Sequence, residues 1–341
     1  MEDRTILEHR LLDEIEHLVQ ETFGLWDPIR VGFSWRHYYF NHTQRVRALC
    51  QTIGREEGAD LHTLEYAALL HDITKRYDGG IVTDKEGNRV VDQKGFWRNE
   101  LLLPARSNRI TELYAAHDQF HTLHHRSGAR IARELLREYE LEEEFCEAVA
   151  SVIEAHLKPR DMDEAERQRL YRTIESRVLH DADMIDSNLG LTALYRNVQI
   201  HAGHMIQQNG RVDLQRYVET LPRWLDRKES FLSQMMTQTG RRIGEARQQR
   251  NVEIYRQLTE ESTDGHIGVH LRCGLLGVFQ YFMEDAEDPN LHAHMEHLRT
   301  VWIPERQRRL LMRDEGQQAT QALRRAIQFC GWMDEEIRGE R

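Results

Sequence analysis

The stretch Ala67-Ala68-Leu69-Leu70-His71-Asp72-Ile73-Thr74-Lys75 joins an apolar run to an adjacent histidine and aspartate, and a lysine follows three residues later. A buried pair of this kind is costly unless another group compensates it. A divalent metal ion would do so, because imidazole nitrogen and carboxylate oxygen are both good metal ligands. Taken alone, the stretch fits equally well a histidine that ends a core helix beside an exposed aspartate.

Further histidines and aspartates occur in comparable surroundings elsewhere in the chain. In each case the polar residue lies on or beside a stripe of apolar residues with helical spacing. The stretches are 42–50, 125–132, 152–156 and 178–186. Helical spacing places such residues on the inner faces of neighbouring helices, so we expect them to meet at the centre of a bundle.

The resulting order H…HD…H…H…D resembles that of the HD-domain metal-dependent phosphohydrolase superfamily, over roughly residues 30 to 200. The fold expected from both periodicity and resemblance is mostly α: an HD-domain helical bundle with a small β-hairpin insertion and extra C-terminal helices. The residues that match the pattern are His42, His71, Asp72, His125, His156 and Asp183.

The resemblance implies a site for either one metal ion or two. His42, His71, Asp72 and Asp183 would suffice for one divalent ion, whereas adding His125 and His156 would give a two-ion site bridged by Asp72. The donor set suits Mn, Fe, Ni, Co or Zn, and a single-ion site also suits Mg.

Neighbouring residues are predicted to support the metal ligands. His124 replaces His125 as the ligand if the helical register is shifted by one residue, and otherwise belongs to the second shell. Asp181 and Asp186 would also be second-shell residues that hold a histidine tautomer, because three acids so close together cannot all be buried unpaired.

The resemblance also implies a reaction. A metal-activated water would cleave a phosphate ester or anhydride, with a nucleotide as the favoured substrate. Asp72 and Lys75 are the predicted catalytic residues, and Lys75 would neutralise charge on the phosphate. Arg45, Arg98 and Arg106 are the candidates for substrate binding, although Arg45 fits a surface salt bridge equally well.

Other functions stay open at this stage. A cyclic-nucleotide phosphodiesterase or a nuclease of the same superfamily is an alternative, although the Gly-Tyr-Pro signature of the cyclic-dinucleotide branch is absent. A metal-bound sensor or interaction module without catalysis is a further alternative, from a different class of protein.

Bulk properties narrow the setting. The chain has 341 residues, of which 40% are hydrophobic and 30% charged, as is typical of soluble globular proteins. The net charge of −11 is unfavourable for extended nucleic acid and leaves a small phosphorylated substrate as the expected partner. Four scattered cysteines, no apolar run of membrane-spanning length and no signal-peptide pattern at the N-terminus predict a cytoplasmic protein without membrane contact. A homo-oligomer is compatible with the sequence.

The chain is expected to divide into an N-terminal helix (1–30), a phosphohydrolase core (31–205) and a C-terminal helical extension packed on the core (206–341). Within the core, residues 76–120 form an irregular insertion with a β-hairpin at 81–91. An insertion of this length between two ligand stretches is a candidate lid, or else a peripheral flap. Residues 264–341 carry no recognisable motif.

Overall fold

A computed structural model describes residues 2–31, 34–82, 84–85, 90, 98–120, 122–157, 163–312 and 316–340. The described chain is mostly α-helical, which confirms the predicted fold class. It divides into two compact units: unit 1 comprises residues 1–183 with 236–239, and unit 2 comprises residues 184–235 with 240–341. The first part of unit 1 ends at residue 183, whereas the core was expected to end at residue 205. Unit 1 also includes the later residues 236–239.

The first eight helices begin within unit 1. They are α1 (Glu2–Phe23), α2 (Arg36–Glu57), α3 (Leu61–Leu70), α4 (Arg109–Ala116), α5 (His124–Glu138), α6 (Glu143–Glu154), α7 (Glu164–Leu170) and α8 (Ile174–Asn188). The remaining helices are α9 (Leu191–Asn209), α10 (Leu214–Glu229), α11 (Gln238–Thr263), α12 (Ile267–Cys273), α13 (Leu275–Glu284), α14 (Leu291–His297), α15 (Ile303–Met312) and α16 (Gly316–Ile337).

The position of His42 on α2 follows from the spacing of the apolar residues in that helix. On α2, His42 shares a buried face with Val46, Leu49 and Ile53, as their spacing predicts. The helix ends where Gly58 adopts a left-handed conformation with φ of 70°. The inward direction of His42 therefore follows from the amphipathic pattern of α2 alone.

The helix that precedes the His71–Asp72 pair is shorter than its pattern predicts. Asp60 caps α3 by accepting a hydrogen bond from the backbone N–H of His62, but α3 ends at Leu70, although apolar residues continue to Ile73. Residues 71–74 form a turn, and a 3₁₀ helix follows over Lys75–Asp78. The histidine and aspartate consequently lie on a tight turn at the end of a helix, with more freedom to converge than two successive helical residues have.

The insertion holds two short strands, β3 (Gly80–Ile81) and β4 (Asn99–Glu100), which pair antiparallel. A further antiparallel pair, β1 (Arg30–Val31) with β2 (Ser34–Trp35), precedes α2 and has no counterpart in the prediction. Within the predicted hairpin, Val90 N–H donates to the carbonyl of Val82, and Arg98 N–H donates to the carbonyl of Val90. Of the rest of that hairpin, the structure describes only Asp84 and Lys85.

Unit 2 has its own apolar core. Side chains of α9, α10 and α13 pack with those of α11 and α16 around Phe279, Phe282 and Phe329. Two helices, α12 and α13, meet at Gly274, where an added Cβ would lie 2.6 Å from Oε2 of Glu261. Pro304 lies in the first turn of α15, which directly follows the π-helical residues Leu298–Trp302. Among the described helices, none is both long and apolar enough to cross a membrane.

Candidate metal centre

Three elements of unit 1 bring the first group of polar side chains together: α2 supplies His42, the turn after α3 supplies His71 and Asp72, and α8 supplies Asp183. Nε2 of His42 lies 3.3 Å from Nε2 of His71 and 3.1 Å from Oδ1 of Asp183. Oδ2 of Asp72 lies 3.9 Å from Nε2 of His42 and 3.8 Å from Nε2 of His71. His42, His71 and Asp72 therefore form one group of ligand atoms, and Asp183 adjoins this group through His42.

The spacing fits a metal ion. Ligand atoms at about 2.1 Å from an ion lie about 3.0 Å apart when they meet at right angles and about 3.4 Å apart in a tetrahedron. The separations of 3.1 and 3.3 Å match those values, and the two separations from Asp72, 3.8 and 3.9 Å, are longer. Imidazole nitrogens and carboxylate oxygens are also the donors that Mn, Fe, Ni, Co and Zn accept. The residues present thus fit a divalent ion held by His42, His71, Asp72 and Asp183.

Backbone carbonyls prepare two of the histidines for this task. Nδ1 of His71 lies 2.7 Å from the carbonyl of Ala68, and Nδ1 of His156 lies 2.7 Å from the carbonyl of Ile153. Only a protonated Nδ1 can donate to a carbonyl, so the lone pair of each ring is on Nε2. Nε2 of His156 is buried and has no hydrogen-bond partner among the described residues. Such an orphaned acceptor indicates a missing donor or cation.

A second group shares Asp72 with the first. Oδ1 of Asp72 lies 3.6 Å from Nε2 of His124 and 3.7 Å from Nε2 of His156. The three ligand atoms lie within 4.8 Å of one another and all three residues are buried. Asp72 therefore presents one oxygen to each group, as a bridging carboxylate would.

The prediction of His125 as a ligand is not supported by this geometry, which brings His124 to Asp72 and His156 instead. The ring centroid of His125 lies 6.3 Å from that of His156, and His125 belongs to neither group. Successive residues on a helix point about 100° apart, so only one of the pair can face Asp72.

The face of α5 that meets the turn explains the choice. A Cβ added to Gly128 would lie 3.2 Å from the carbonyl of His71, and Oγ of Ser127 lies 2.8 Å from Oγ1 of Thr74. His124 precedes these two small residues by three and four positions and so shares their face. The pair of small residues was the signal in the sequence that distinguishes His124 from His125.

Lys75 and Asp78 complete the surroundings of His124. Nζ of Lys75 lies 2.7 Å from Nε2 of His124, and Oδ2 of Asp78 lies 2.5 Å from Nδ1 of the same ring. Lys75 thus lies at the cluster, as its predicted role requires. Asp78 did not enter the prediction, because its sequence neighbours gave no sign that it faces a histidine.

The two other predicted second-shell acids have different outcomes. Asp181 is buried and accepts hydrogen bonds from the backbone of Met236 and from the N–H and hydroxyl of Thr237. It also lies 3.1 Å from Nδ1 of His180, which is not a candidate ligand. Its described partners therefore anchor the segment 236–239 and do not orient a metal ligand. Asp186 is buried in unit 2, and its second-shell role stays a prediction.

The three arginines predicted to bind substrate are placed differently. Arg45 is buried, and its guanidinium lies 5.7 Å from the ring centroid of Tyr38, which stacks on His42. Arg106 is exposed and donates to the carbonyl of Gly24, and Arg98 is exposed. Among the described residues, no contact joins Arg98 or Arg106 to the cluster, whereas Arg45 approaches it through Tyr38.

Burial and charge set the protonation states of the cluster. Burial lowers the pKa of His156 to about 3, with the neighbouring histidines acting in the same direction, and it also lowers the pKa of His71. Burial alone would raise the pKa of Asp72, but Lys75 and the surrounding histidines hold it well below its usual value. The hydrogen bond from His42 does the same for Asp183. Neutral imidazoles and ionised carboxylates are the forms that bind a cation.

One family of known proteins matches part of the chain. The family model described as "HD domain" matches residues 39–188. This match supports a hydrolase of the general HD type. No curated protein matches the chain significantly.

Solved structures similar to the chain include a predicted HD superfamily hydrolase from an uncultured Thermotogales bacterium, with 21% identity, 73% of this chain and 92% of that chain covered, and a TM-score of 0.41. Bacillus subtilis YpgQ shows 22% identity over 76% of this chain and 98% of its own, with a TM-score of 0.41. YpgQ in complex with ADP shows 21% identity over 74% and 98%, with a TM-score of 0.40.

Proposed function

We propose that the chain is a divalent-metal-dependent phosphohydrolase that cleaves a phosphate ester or anhydride, with nucleotides as the substrate class. The observation that carries the proposal is the convergence of His42, His71 and Asp72, with Asp183 3.1 Å from His42, in the cluster where the ammonium group of Lys75 contacts His124. Metal ligands next to a fixed cation are what hydrolysis of a phosphate needs, since charge on the phosphoryl oxygens must be neutralised as water attacks.

Each residue has a defined task in this proposal. A divalent ion would lower the pKa of the attacking water and polarise a phosphoryl oxygen. The backbone carbonyls of Ala68 and Ile153 keep His71 and His156 in the tautomer that offers Nε2 to the centre. Lys75 binds the phosphoryl oxygens, and Asp72 holds the ligand groups together through its two oxygens. The nucleotide part of the proposal rests on the resemblance noted in the sequence.

The first experiment is elemental analysis of the purified protein together with a hydrolysis assay. The assay would supply Mn, Fe, Ni, Co, Zn or Mg, and its panel would contain nucleoside mono-, di- and triphosphates, a cyclic nucleotide, a cyclic dinucleotide and a single-stranded oligonucleotide. We expect bound metal and turnover of a mononucleotide substrate. Preference for a cyclic compound or for the oligonucleotide would favour the phosphodiesterase or nuclease alternative.

A pair of variants tests the site itself. His42→Ala removes a ligand and should abolish both metal retention and turnover, whereas His204→Ala changes an exposed histidine of unit 2 and should change neither. Retained metal without turnover of any substrate would favour a non-catalytic sensor. Absence of bound metal under every loading condition would refute the hydrolase proposal.

A further inference from the structure

The half of the cluster formed by Asp72, His124 and His156 contains a cation that belongs to the protein itself. We propose that the ammonium group of Lys75, positioned by Asp78 through His124, takes the place that a second metal ion would occupy. The chain would then hold one divalent ion with high affinity. This inference rests on the proposed function and decides how many ions that function uses.

The directions of the hydrogen bonds around His124 support this proposal. The carboxylate of Asp78 can only accept, so Nδ1 of His124, at 2.5 Å from it, carries the proton. Nε2 of the ring is then an acceptor, and the ammonium of Lys75 at 2.7 Å is its donor. The three side chains form a relay in which Asp78 fixes the ring of His124 and the ring fixes Lys75.

The local backbone places Lys75 and Asp78 on the same side of one short helix. Lys75 and Asp78 are the first and last residues of one 3₁₀ helix. Residues three apart in a 3₁₀ helix eclipse one another, so both side chains leave the helix on the same side. The backbone N–H of Lys75 also donates to the carbonyl of Asp72, which ties the helix to the turn that carries the ligands. The relay is thus built into the backbone that follows the His71–Asp72 pair.

Lys75 and a second metal ion would compete for one lone pair, on Nε2 of His124. A second ion on Oδ1 of Asp72, Nε2 of His124 and Nε2 of His156 would need the nitrogen that Lys75 already uses. An ammonium group and a divalent ion repel each other at such short range. The positive charge of Lys75 also offsets the negative charge of Asp72, as a second metal ion would. One of the two cations must be absent, and the protein supplies the ammonium.

The test is metal stoichiometry, measured by elemental analysis after loading with Mn²⁺ and removal of free ion. We expect one ion per chain in the wild-type protein and close to two in Lys75→Met, because the freed Nε2 of His124 could bind another ion together with Oδ1 of Asp72 and Nε2 of His156. Electron paramagnetic resonance should then show coupled Mn²⁺ pairs in Lys75→Met. Lys85→Met changes an exposed lysine of unit 1 and should keep one ion.

Asp78 is a positioning residue and has its own readout. Asp78→Ala should keep one ion and lower kcat by roughly 10–100-fold, the usual effect of removing a group that orients a site residue. Asp78→Asn should restore part of this loss, because its amide oxygen still accepts from Nδ1 of His124. Equal losses in the alanine and asparagine variants would overturn the positioning role.

The outcomes separate this inference from the proposed function. Two tightly held ions in the wild-type protein, or one ion in a folded Lys75→Met variant, would refute the inference and leave the hydrolase intact. A wild-type protein without any bound metal would instead refute the proposed function. If Lys75→Met does not fold, Lys75→Leu serves the same test, since its side chain carries neither the competing charge nor a donor to His124.

Discussion

Asp72 of unit 1 and Glu336 of unit 2 are both buried carboxylates, yet their surroundings differ in kind. Oε2 of Glu336 accepts from the backbone N–H of Leu191 at the start of α9, and the guanidinium groups of Arg247 and Arg250 lie 3.8 and 3.6 Å from the carboxylate. Asp72 is surrounded by imidazole rings whose lone pairs point inward, with Lys75 as the neighbouring cation.

The difference separates a buried charge that holds the fold from one that awaits a ligand. Around Glu336 the partners are permanent donors, namely two arginines and backbone N–H groups of α9. Around Asp72 the Nε2 acceptors of His71 and His156 approach its carboxylate oxygens, and acceptors cannot satisfy one another. Convergence of acceptors, more than burial or charge, is therefore the sign of a cation site in this molecule.

Asp72→Ala should have the largest effect on function. Removing the carboxylate shared by both groups should release the metal and lower turnover by at least about 10³-fold, the scale of losing a group that stabilises the transition state directly. Elemental analysis and the substrate assay measure both quantities. Asp226→Ala, at an exposed position of unit 2, is the control and should behave as wild type. A variant at Asp72 that kept its ion and its turnover would contradict the assignment of the cluster.

Glu336→Ala should have the largest effect on stability. It leaves buried arginines without their acid, which costs about 3–5 kcal/mol. Urea denaturation should show the loss, whereas metal content per folded chain should not change. Glu284→Ala, an exposed acid of the same unit, should change stability by no more than about 0.5 kcal/mol. If both glutamate variants lost the same stability, the structural role of Glu336 would be wrong.

The comparison extends to a cation of unit 2. Nζ of Lys228 donates to Oδ1 of Asn188 at 2.7 Å and lies 5.0 Å from the ring centroid of Phe231. Burial lowers the pKa of Lys228 to about 7, with Arg196 and Arg227 acting in the same direction. Between that value and the ordinary lysine pKa, the unfolded chain holds a proton that the folded chain lacks.

The stability contributed at Lys228 should consequently rise with pH from about 7 to about 10, by about 1.4 kcal/mol per pH unit. Denaturation of wild type and Lys228→Met across this range measures the effect, and the difference in unfolding free energy should shift in favour of the wild type as pH rises. A difference independent of pH would show that Lys228 keeps its charge in the folded protein.

Gly128→Ala should give the smallest of these effects. Its new methyl group would lie 3.2 Å from the carbonyl of His71, so the turn that carries His71 and Asp72 must move by a few tenths of an ångström. Displacement of ligands on this scale should lower turnover by about 10-fold. Gly331→Ala has open space around it and serves as the control in thermal denaturation and turnover. Unchanged turnover in Gly128→Ala would show that the turn tolerates movement.

Much of the fold and half of the cluster followed from residue patterns. The inward direction of His42 was set by Val46, Leu49 and Ile53 on its own helix, and the donors at His71, Asp72 and Asp183 were found by their order in the chain. The shortened α3 was not foreseen, because the apolar run continues through Ile73 although the helix ends at Leu70. The apolar pattern reports burial, and a buried turn can carry it as well as a helix.

The choice between His124 and His125 depended on packing. Both are buried, so amphipathicity does not separate them. The rotation of α5 about its axis is fixed by the close approach of Ser127 and Gly128 to the turn at His71–Thr74. The partners of Asp181 were hidden for a related reason, since Thr237 lies 56 residues further along the chain.

The sequence by itself determined which metal-binding side chains the protein has and their order along the chain. It also determined the face of the helix on which a residue such as His42 lies, because helical periodicity is a local property. The tertiary structure decided which oxygen of Asp72 meets which histidine, that Asp78 reaches His124, and that Lys75 lies where a second ion would bind. Those relations join residues from separate elements. They depend on how helices rotate and approach when their side chains pack, and no spacing along the chain encodes that.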